Sequence, residues 1–324
     1  MEKLLEIKNL ETAFRIKDDY FNAVDKVSLD LYKNEVLAIV GESGCGKSTL
    51  ATTIMRLHNE NLTKSTGEII FNGKNILDLT EDEMNKIRTK DIGMIFQDPL
   101  SSLNPLHRIG KQIEEALIYH TELSSEERQK RVIELLTQVG IPNPERCAKQ
   151  YPHELSGGMR QRVMIAMAMS CKPSVLIADE PTTALDVTIQ AQILDLIKGL
   201  QAEMHAGIIL ITHDLGVVAE MADRVAVLYA GEVVEIGTAE QIFKNPKHPY
   251  TRSLLRSIPQ LDDEDASDDL YVIQGMVPSL KTLDRQGCRF ANRISWVKDE
   301  EHEHNPTLHE VEEGHHVRCT CYKN

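Results

Sequence analysis

The chain is poor in aromatic residues and in positive charge, and it contains no long apolar run. Aromatic residues make up 5% of its 324 positions. Lys and Arg number 36 against 50 Asp and Glu, which leaves a net charge of −14. That deficit argues against a nucleic-acid partner bound through net charge. The longest apolar runs, such as residues 36–40, have the length of strands and fall short of the roughly 20 residues of a membrane helix.

Cysteine is scarce as well, with six residues in the chain. The N-terminal residues 1–7 have no long apolar segment and no small-residue cleavage site, so they do not read as a signal peptide. We therefore expect a cytosolic chain whose cysteines are thiols or metal ligands rather than disulfides. The apolar fraction of 41% excludes a predominantly disordered chain.

The acidic excess is concentrated at the C-terminal end. Residues 257–324 hold 14 acidic and 7 basic side chains, half of the net charge, together with five of the twelve histidines. Six of the eight residues 262–269 are acidic, which is typical of a solvated linker. We predict a main domain over residues 1–257 and a compositionally different extension over residues 258–324.

Hydrophobic patterns predict an α/β fold. The continuous apolar run 36–40 is typical of a strand buried on both faces, and the Asn-Gly pair at 72–73 predicts a hairpin turn. Capping boxes that begin at Thr80 and Ser124 start helices in the middle of the chain. Between residues 174 and 237 short apolar strands alternate with helices, which indicates a parallel sheet flanked by helices.

A glycine-rich segment directly follows the first buried strand. Residues 41–48 read Gly-Glu-Ser-Gly-Cys-Gly-Lys-Ser and match the phosphate-loop pattern G-x-x-x-x-G-K-[ST] at every fixed position. Glycines let backbone N–H groups face phosphate oxygens, and the positive end of the next helix favours the same charge. Lys47 is expected to reach the β- and γ-phosphates and Ser48 to ligate Mg²⁺. The candidate nucleotide contacts are Gly41, Ser43, Gly44, Cys45, Gly46, Lys47, Ser48 and Thr49, with Cys45 expected to be chemically inert.

Two adjacent carboxylates end a second apolar strand. Residues 175–178 read Val-Leu-Ile-Ala, and Asp179 and Glu180 follow. In phosphoryl transfer a strand-end Asp holds Mg²⁺, and a neighbouring Glu can orient and deprotonate the attacking water. Such a pair alone is often only a solvated strand end, but downstream of a phosphate loop it favours nucleotide hydrolysis.

A third motif lies between these two. Residues 155–162 read Leu-Ser-Gly-Gly-Met-Arg-Gln-Arg, and they resemble the signature of the ATP-binding-cassette (ABC) ATPases. Ser156 is placed to cap a helix whose first N–H groups come from Gly157 and Gly158, an arrangement suited to a γ-phosphate. The resemblance covers about residues 4–257. It implies a P-loop NTPase with a RecA-like parallel-sheet core, an antiparallel β subdomain and a helical signature subdomain over about residues 98–170.

The same resemblance implies further site residues. Gln97 looks like the Q-loop glutamine, His213 like the switch histidine that contacts the γ-phosphate, and Asp186 lies in a segment similar to the D-loop. Family members stack an aromatic ring on adenine, and Tyr20 is our choice, with Phe14 and Phe21 left open. The implied Mg²⁺ ligands are Ser48, Gln97 and Asp179, and the implied catalytic residues are Lys47, Glu180 and His213.

The extension narrows the family. Residues 248–255, 273–280 and 287–290 resemble the C-terminal region of oligopeptide/dipeptide importer ATPase subunits, which nickel importer ATPases share. This implies a peripheral ATPase at the cytoplasmic face of the membrane. Its implied partners are a second cassette ATPase, identical or different, two membrane permease subunits and, indirectly, an extracellular substrate-binding protein. Gln97 and the helical subdomain are implied in the coupling to the permeases.

Many such relatives carry four cysteines in the extension that look fit to hold an iron–sulfur cluster. Here Cys288 and Cys319 are kept, but the two intermediate positions are Ile294 and Glu301, so half of the ligands of a four-thiolate cluster are missing. Zinc is an alternative, and a metal-free extension with solvated histidines is the alternative that we favour. The candidate zinc ligands beside these two cysteines are Cys321, His302, His304, His315 and His316.

Three other functions remain alternatives. A soluble cassette ATPase of DNA repair or translation usually has two cassettes or a long coiled-coil insertion, and this chain has one phosphate loop and no such insertion. A nucleotide-gated switch without turnover would not need Glu180 and His213. An exporter often has membrane helices fused to its cassette.

Overall fold

The computed structural model describes residues 2–183, 185–257, 272–294 and 303–319. The chain forms two compact units. The first unit comprises Met1–Leu5, Leu31–Glu35 and Asp78–Ile211, and the second comprises Glu6–Asp30, Val36–Leu77 and Thr212–Asn324. The phosphate loop and the C-terminal extension therefore belong to the same unit.

The strands and helices follow one another along the whole described chain. The strands are β1 (Lys3–Ile16), β2 (Asp19–Tyr32), β3 (Val36–Val40), β4 (Thr63–Phe71), β5 (Lys74–Asn75), β6 (Ile92–Ile95), β7 (Val175–Asp179), β8 (Gly207–Ile211), β9 (Arg224–Tyr229), β10 (Glu232–Thr238), β11 (His309–Glu312) and β12 (His315–Val317). The α-helices are α1 (Lys47–Ile54), α2 (Glu81–Ile87), α3 (Pro99–Ser102), α4 (Ile109–His120), α5 (Ser125–Gln138), α6 (Pro144–Cys147), α7 (Gly157–Ala168), α8 (Val187–Met204), α9 (Leu215–Met221), α10 (Ala239–Lys244) and α11 (Pro249–Arg256).

The first unit contains a parallel arrangement of β6, β7 and β8. Ile95 is paired with Ala178, and Asp179 with Ile211. All three strands are buried along their whole length, as expected for continuous apolar strands in a parallel sheet. Helices α3 to α7 fall between β6 and β7 in the sequence. Because parallel strands end at the same edge, the residues after β6 and β7 are brought together there.

The second unit contains the strand that leads into the phosphate loop. β3 pairs with β9 in parallel, β9 pairs with β10 antiparallel, and β12 joins β10 antiparallel. A further four-stranded sheet has the order β2-β1-β4-β5. The Asn-Gly turn between β4 and β5 has positive φ at both residues, 49° at Asn72 and 75° at Gly73, so the hairpin predicted from this pair is present.

Several local predictions are confirmed with small shifts of boundary. The capping boxes at Thr80 and Ser124 are both complete, and α5 ends just before Gly140, which has a φ of 72°. The strand that precedes Gln97, β6, ends at Ile95.

The expectation of solvated histidines in the extension is wrong for His315. Its side chain is fully buried on β12 and its Nε2 lies 2.8 Å from Oε1 of Glu235, which is also fully buried on β10. That carboxylate also accepts hydrogen bonds from the backbone N–H groups of Lys247 and His248. A buried carboxylate needs such partners, and the one from the extension lies 80 residues away in sequence.

Candidate nucleotide-binding and hydrolysis site

The phosphate loop joins a fully buried strand to a helix. All five residues of β3 are buried, and α1 begins at Lys47, directly after Gly46. Within the loop Ser43, Gly44 and Ser48 are exposed, whereas Thr49 is half-buried. This strand–loop–helix order is the context that gives the sequence motif its meaning.

Two glycines of this loop are required by their surroundings. A Cβ atom added at Gly41 would lie 2.2 Å from the carbonyl oxygen of Leu228, and one at Gly46 would lie 2.4 Å from that of Ala23. Gly46 also has a φ of 108°. Gly44 differs, because nothing lies within 4 Å of an added Cβ, and its φ of 81° is the constraint.

Lys47 and Cys45 lie together beneath the loop. The Lys47 ammonium donates hydrogen bonds to the carbonyl oxygens of Gly41 at 2.8 Å and Glu42 at 3.0 Å, and it lies 3.8 Å from the Cys45 sulfur. Burial raises the pKa of the Cys45 thiol, and the charge of Lys47 only partly opposes this. Cys45 is therefore protonated at neutral pH and is not a reactive thiolate.

The second carboxylate pair is anchored at the end of β7. Asp179 is its last residue and is 5% exposed. Glu180 has a φ of 46°, a left-handed conformation that is uncommon for a residue other than glycine and that recurs at functional sites. Its backbone N–H donates to the carbonyl of Ile211. The two carboxylates are thus held differently and can take different roles.

Two side chains donate hydrogen bonds to the Glu180 carboxylate. Gln97 Nε2 donates to its Oε2 at 2.7 Å, and the Thr183 hydroxyl donates to the same oxygen at 2.9 Å. Gln97 and Glu180 were both candidates from the sequence, and the structure brings them together. Thr183 was missed, although its position three residues after Glu180 was a signal for a local side-chain contact.

The signature segment begins a helix. Ser156 is the N-cap of α7, and its hydroxyl accepts a hydrogen bond from the Met159 N–H at 3.3 Å. Ser156 and Gly157 are exposed, and nothing lies within 4 Å of a Cβ added at Gly157. Asp186 caps α8 in the same way, with its carboxylate accepting from the Ile189 N–H at 3.0 Å. The N-terminus of α7 thus presents backbone donors at an open surface.

The remaining nucleotide candidates lie in the second unit. His213 is exposed and follows β8 by two residues. Tyr20 is half-buried, with the Lys64 ammonium 4.0 Å from its ring centroid. Phe14 instead packs edge-on against His58, at 5.1 Å between ring centroids. This contact engages Phe14 within the unit, whereas Phe21 is half-buried and stays an alternative to Tyr20.

The extension brings its two described cysteines into one apolar cluster. Cys319 is fully buried in a cluster with Phe290 and Ile294, and Cys288 packs against that cluster. Among the described residues there is no group of three or more His, Cys, Asp or Glu side chains that could hold a metal ion. Of the other candidates, His304 is exposed and His316 half-buried, and His302 and Cys321 lie outside the described residues, as does Glu301. Two thiols beside apolar side chains do not fit a four-thiolate cluster.

Comparisons with known proteins agree with this geometry. Residues 24–183 match the family described as ABC transporter, and residues 234–300 match the family described as oligopeptide/dipeptide transporter, C-terminal region. No helix in the described parts of the chain is both long and apolar enough to cross a membrane.

The sequence relatives match the chain over nearly its whole length. The oligopeptide transport ATP-binding protein OppD of Lactococcus lactis subsp. cremoris (strain SK11) is 54% identical over 323 residues, 99% of this chain and 95% of that protein. The dipeptide transport ATP-binding protein DppD of Bacillus subtilis (strain 168) is 53% identical over 294 residues, 90% of this chain and 87% of that protein.

A solved structure agrees as well, and with it the predicted fold is confirmed. The dimeric post-hydrolysis state of the ATP-binding cassette MJ0796, bound to ADP and Pi, is similar with a TM-score of 0.66 and 33% identity, over 73% of this chain and 99% of that one. Phosphate loop, signature and carboxylate pair therefore stand in a cassette of known type, and the chain belongs to the ATP-hydrolysing subunits of ABC transporters that carry the oligopeptide/dipeptide-type C-terminal region.

Proposed function

We propose that this chain is the ATP-hydrolysing subunit of an importer for oligopeptides or dipeptides, located peripherally at the cytoplasmic face of the membrane. The supporting observation is that the relatives bearing such names match the extension as well as the cassette. The C-terminal match over residues 234–300 is separate from the ABC transporter match over residues 24–183, and it supports the assignment to this subfamily.

The proposed chemistry is hydrolysis of ATP by water. The Lys47 ammonium exchanges its bonds to the two loop carbonyls for phosphate oxygens, and backbone N–H groups in the exposed part of the loop hold the phosphates. Tyr20 stacks on adenine. As the family resemblance implies, Ser48, Gln97 and Asp179 would hold Mg²⁺, which would neutralise phosphate charge. The oxygen ligands of these three residues are those that Mg²⁺ prefers.

Glu180 is the proposed base. The hydrogen bonds from Gln97 and Thr183 orient the carboxylate that is proposed to align and deprotonate the water. His213 contacts the γ-phosphate from its position after β8. Held donors and acceptors of this kind lower the barrier without reorganisation during the reaction.

The proposed active form is a pair of cassettes. The open N-terminus of α7, with its exposed Ser156 and Gly157, offers donors to the γ-phosphate held by a second cassette, and Asp186 caps the following helix α8. One phosphate loop and one signature per chain then give two shared ATP sites in a homo- or heterodimer. ATP closes the pair and hydrolysis reopens it.

The first unit also offers a coupling surface to the permease subunits. Several large apolar side chains between residues 98 and 120 are exposed, namely Leu100, Leu106, Ile118 and Tyr119. Leu100 follows Gln97 by three residues, so a partner that packs on Leu100 would lie close in sequence to a candidate residue of the hydrolytic site. Exposed apolar side chains grouped in this way are typical of interaction sites.

Reconstitution tests this function. The full chain is purified with the membrane and cassette subunits that accompany it, placed in proteoliposomes, and assayed for ATP hydrolysis and uptake with a peptide-loaded or nickel-loaded binding protein. We expect peptide to stimulate hydrolysis and to enter the vesicles only with Mg²⁺ and ATP. If only the nickel-loaded binding protein stimulates hydrolysis, the cargo is nickel and not peptide. If no membrane subunit accompanies the chain and it still hydrolyses ATP, the result points to a soluble cassette ATPase.

A further inference from the structure

The C-terminal extension reaches the phosphate loop through Arg293. Its guanidinium donates two hydrogen bonds to the Glu42 carboxylate, one from Nη1 at 2.6 Å and one from Nη2 at 2.9 Å. Arg293 is 6% exposed and Glu42 is 27% exposed. Burial disfavours the charge of Arg293, but the bonds to Glu42 and Tyr229 outweigh it and raise the pKa of Arg293. Bidentate pairs of this kind fix geometry as well as charge.

The position of Arg293 is itself fixed by contacts within the extension and with strand β9. Its Nε donates to the carbonyl of Gln274 at 2.8 Å, and its Nη2 to that of Gly275 at 3.3 Å. Its Nη1 also lies 3.3 Å from the Tyr229 hydroxyl. These hydrogen bonds hold the Arg293 side chain in one position between the extension and the loop.

The backbone of Glu42 is held by a second group. Its N–H donates to the Tyr250 hydroxyl at 2.8 Å. The Tyr250 ring is fully buried and packs against the rings of Tyr229, at 4.6 Å between centroids, and Phe290, at 5.2 Å. Phe290 comes from the extension, so both the side chain and the main chain of Glu42 depend on residues beyond position 249.

The other end of the loop is braced through a second arginine of the extension. Arg289 donates to the carbonyl of Ala230 and is paired with Asp25 and with Glu232. The neighbouring Gly231 N–H donates to the Cys45 carbonyl at 2.8 Å. Burial alone would raise the pKa of Asp25, but the hydrogen bond and charge of Arg289 lower it. Arg289 thus holds the turn to which the loop is attached.

The charge of Glu42 makes the arginine more than a brace. A carboxylate next to a loop that binds polyphosphate repels the nucleotide unless it is neutralised. The carbonyl of the same residue accepts one of the Lys47 hydrogen bonds, so the placement of Glu42 also sets the resting position of the phosphate-binding lysine. Arg293 therefore affects both the charge of Glu42 and the resting position of Lys47.

We propose that the extension positions the phosphate loop, with Arg293 a positioning residue that promotes nucleotide binding by neutralising and orienting Glu42. This proposal rests on the proposed function of residues 41–48 as an ATP site. It makes the Arg293–Glu42 contact and the affinity for ATP reciprocal: whatever breaks that contact weakens ATP binding, and bound ATP stabilises the contact.

A double-mutant cycle in the full chain tests it, with the affinity for Mg²⁺ and a non-hydrolysable ATP analogue as the readout. Arg293→Met leaves the Glu42 charge uncompensated, and we expect about a tenfold loss of affinity. Glu42→Gln changes affinity by about twofold or less, and in that background Arg293→Met adds little. Arg293→Lys keeps the charge but not the fork and is expected to fall between wild type and Arg293→Met.

The control is Arg318→Met. Arg318 ties the extension to the Val233 carbonyl at 2.9 Å, so its loss lowers the melting temperature without coupling to Glu42. In the assembled transporter Arg293→Met should raise KM for ATP and leave kcat within about twofold. An equal loss with and without Glu42, or no loss, overturns the positioning role. Absence of nucleotide binding by the unaltered chain would instead overturn the ATP site itself.

Discussion

Gln97 and Glu180 lie on neighbouring parallel strand ends and are joined by a hydrogen bond of 2.7 Å from Nε2 to Oε2. The bond spans 83 residues of sequence. The exposed apolar side chains of Leu100 and Leu106 follow Gln97 by three and nine residues, so a movement of that segment that displaces Gln97 would disturb its hydrogen bond to the proposed base. This relationship gives the proposed coupling between transport and hydrolysis a physical form.

Glu180→Gln separates nucleotide binding from turnover. The amide keeps the size of the side chain but is a poor proton acceptor, so we expect ATP affinity within about twofold of wild type and a loss of turnover of at least about 100-fold. Equilibrium binding and steady-state hydrolysis measure the two. Glu203→Gln, at an exposed position of α8, is the matched control and should leave both unchanged. Normal turnover by Glu180→Gln would remove this residue from the role of base.

Thr183→Val tests the second hydrogen bond to the Glu180 carboxylate. The change keeps the shape of the side chain and removes the hydroxyl that donates to Glu180 at 2.9 Å. We expect kcat to fall by about three- to tenfold with KM for ATP unchanged, because only the placement of the base is disturbed. Thr183→Ser retains the hydroxyl and should restore most of the rate. If serine and valine behave alike, the hydroxyl has no part in positioning Glu180.

Local features of the site were predictable because they are encoded within a few residues. The Ser156 cap, the glycine loop and the strand ending at Asp179 each follow from contiguous sequence. The family resemblance added Gln97 and His213, which no local pattern singles out. What the pattern could not supply was that Gln97 bonds directly to Glu180.

Long-range polar pairs were not predictable. Arg293 and Glu42 are 251 residues apart and His315 and Glu235 are 80 apart. A charged side chain in a loop or a histidine in an acidic extension is usually solvated, and only the fold decides which of them meets a partner. The buried Glu235 within the apolar run of β10 was the one visible anomaly, since a buried carboxylate requires donors.

His248 makes the stability of the second unit depend on pH. Burial lowers its pKa from 6.5 to about 4, and its Nδ1 accepts a hydrogen bond from the Tyr250 N–H at 3.1 Å. Between these two pH values His248 is therefore protonated in the unfolded chain and neutral in the folded chain. The stability from this group is complete above pH 6.5 and is lost as the pH falls, by about 1.4 kcal/mol per unit and about 3 kcal/mol in all.

His248→Asn isolates that contribution. Asparagine can still cap α11 but does not titrate. We therefore expect the free energy of unfolding of the variant to be lower than that of wild type at pH 7.5 and to fall less steeply toward pH 4.5. Urea unfolding at a series of pH values gives the difference between the two proteins, in which the other titrating groups cancel. Parallel curves for the two proteins would contradict the neutral, buried histidine.

The extension is expected to fold without a metal. Cys288 and Cys319 lie with Phe290 and Ile294 in an apolar cluster, and burial of such side chains stabilises by about 1.5–3 kcal/mol each. Untagged protein purified anaerobically should contain iron and zinc well below one atom per chain, and chelators should leave its melting temperature unchanged. Stoichiometric iron or zinc would contradict this and would direct attention to Cys321.

Gly157→Asp tests whether the signature matters for the folding of one chain or for the assembly of two. Nothing lies within 4 Å of a Cβ added at Gly157, so Gly157→Asp should fold with an unchanged melting temperature and, as an isolated chain, bind ATP normally. An acid at the first turn of α7 even suits the helix dipole. In the assembled transporter, however, the same carboxylate faces the γ-phosphate proposed to come from the second cassette, and hydrolysis should fall by at least about 100-fold. Gly199→Asp on α8, whose added Cβ also meets nothing, should retain full activity. If Gly157→Asp hydrolyses ATP normally in the assembly, the signature does not complete a partner's site.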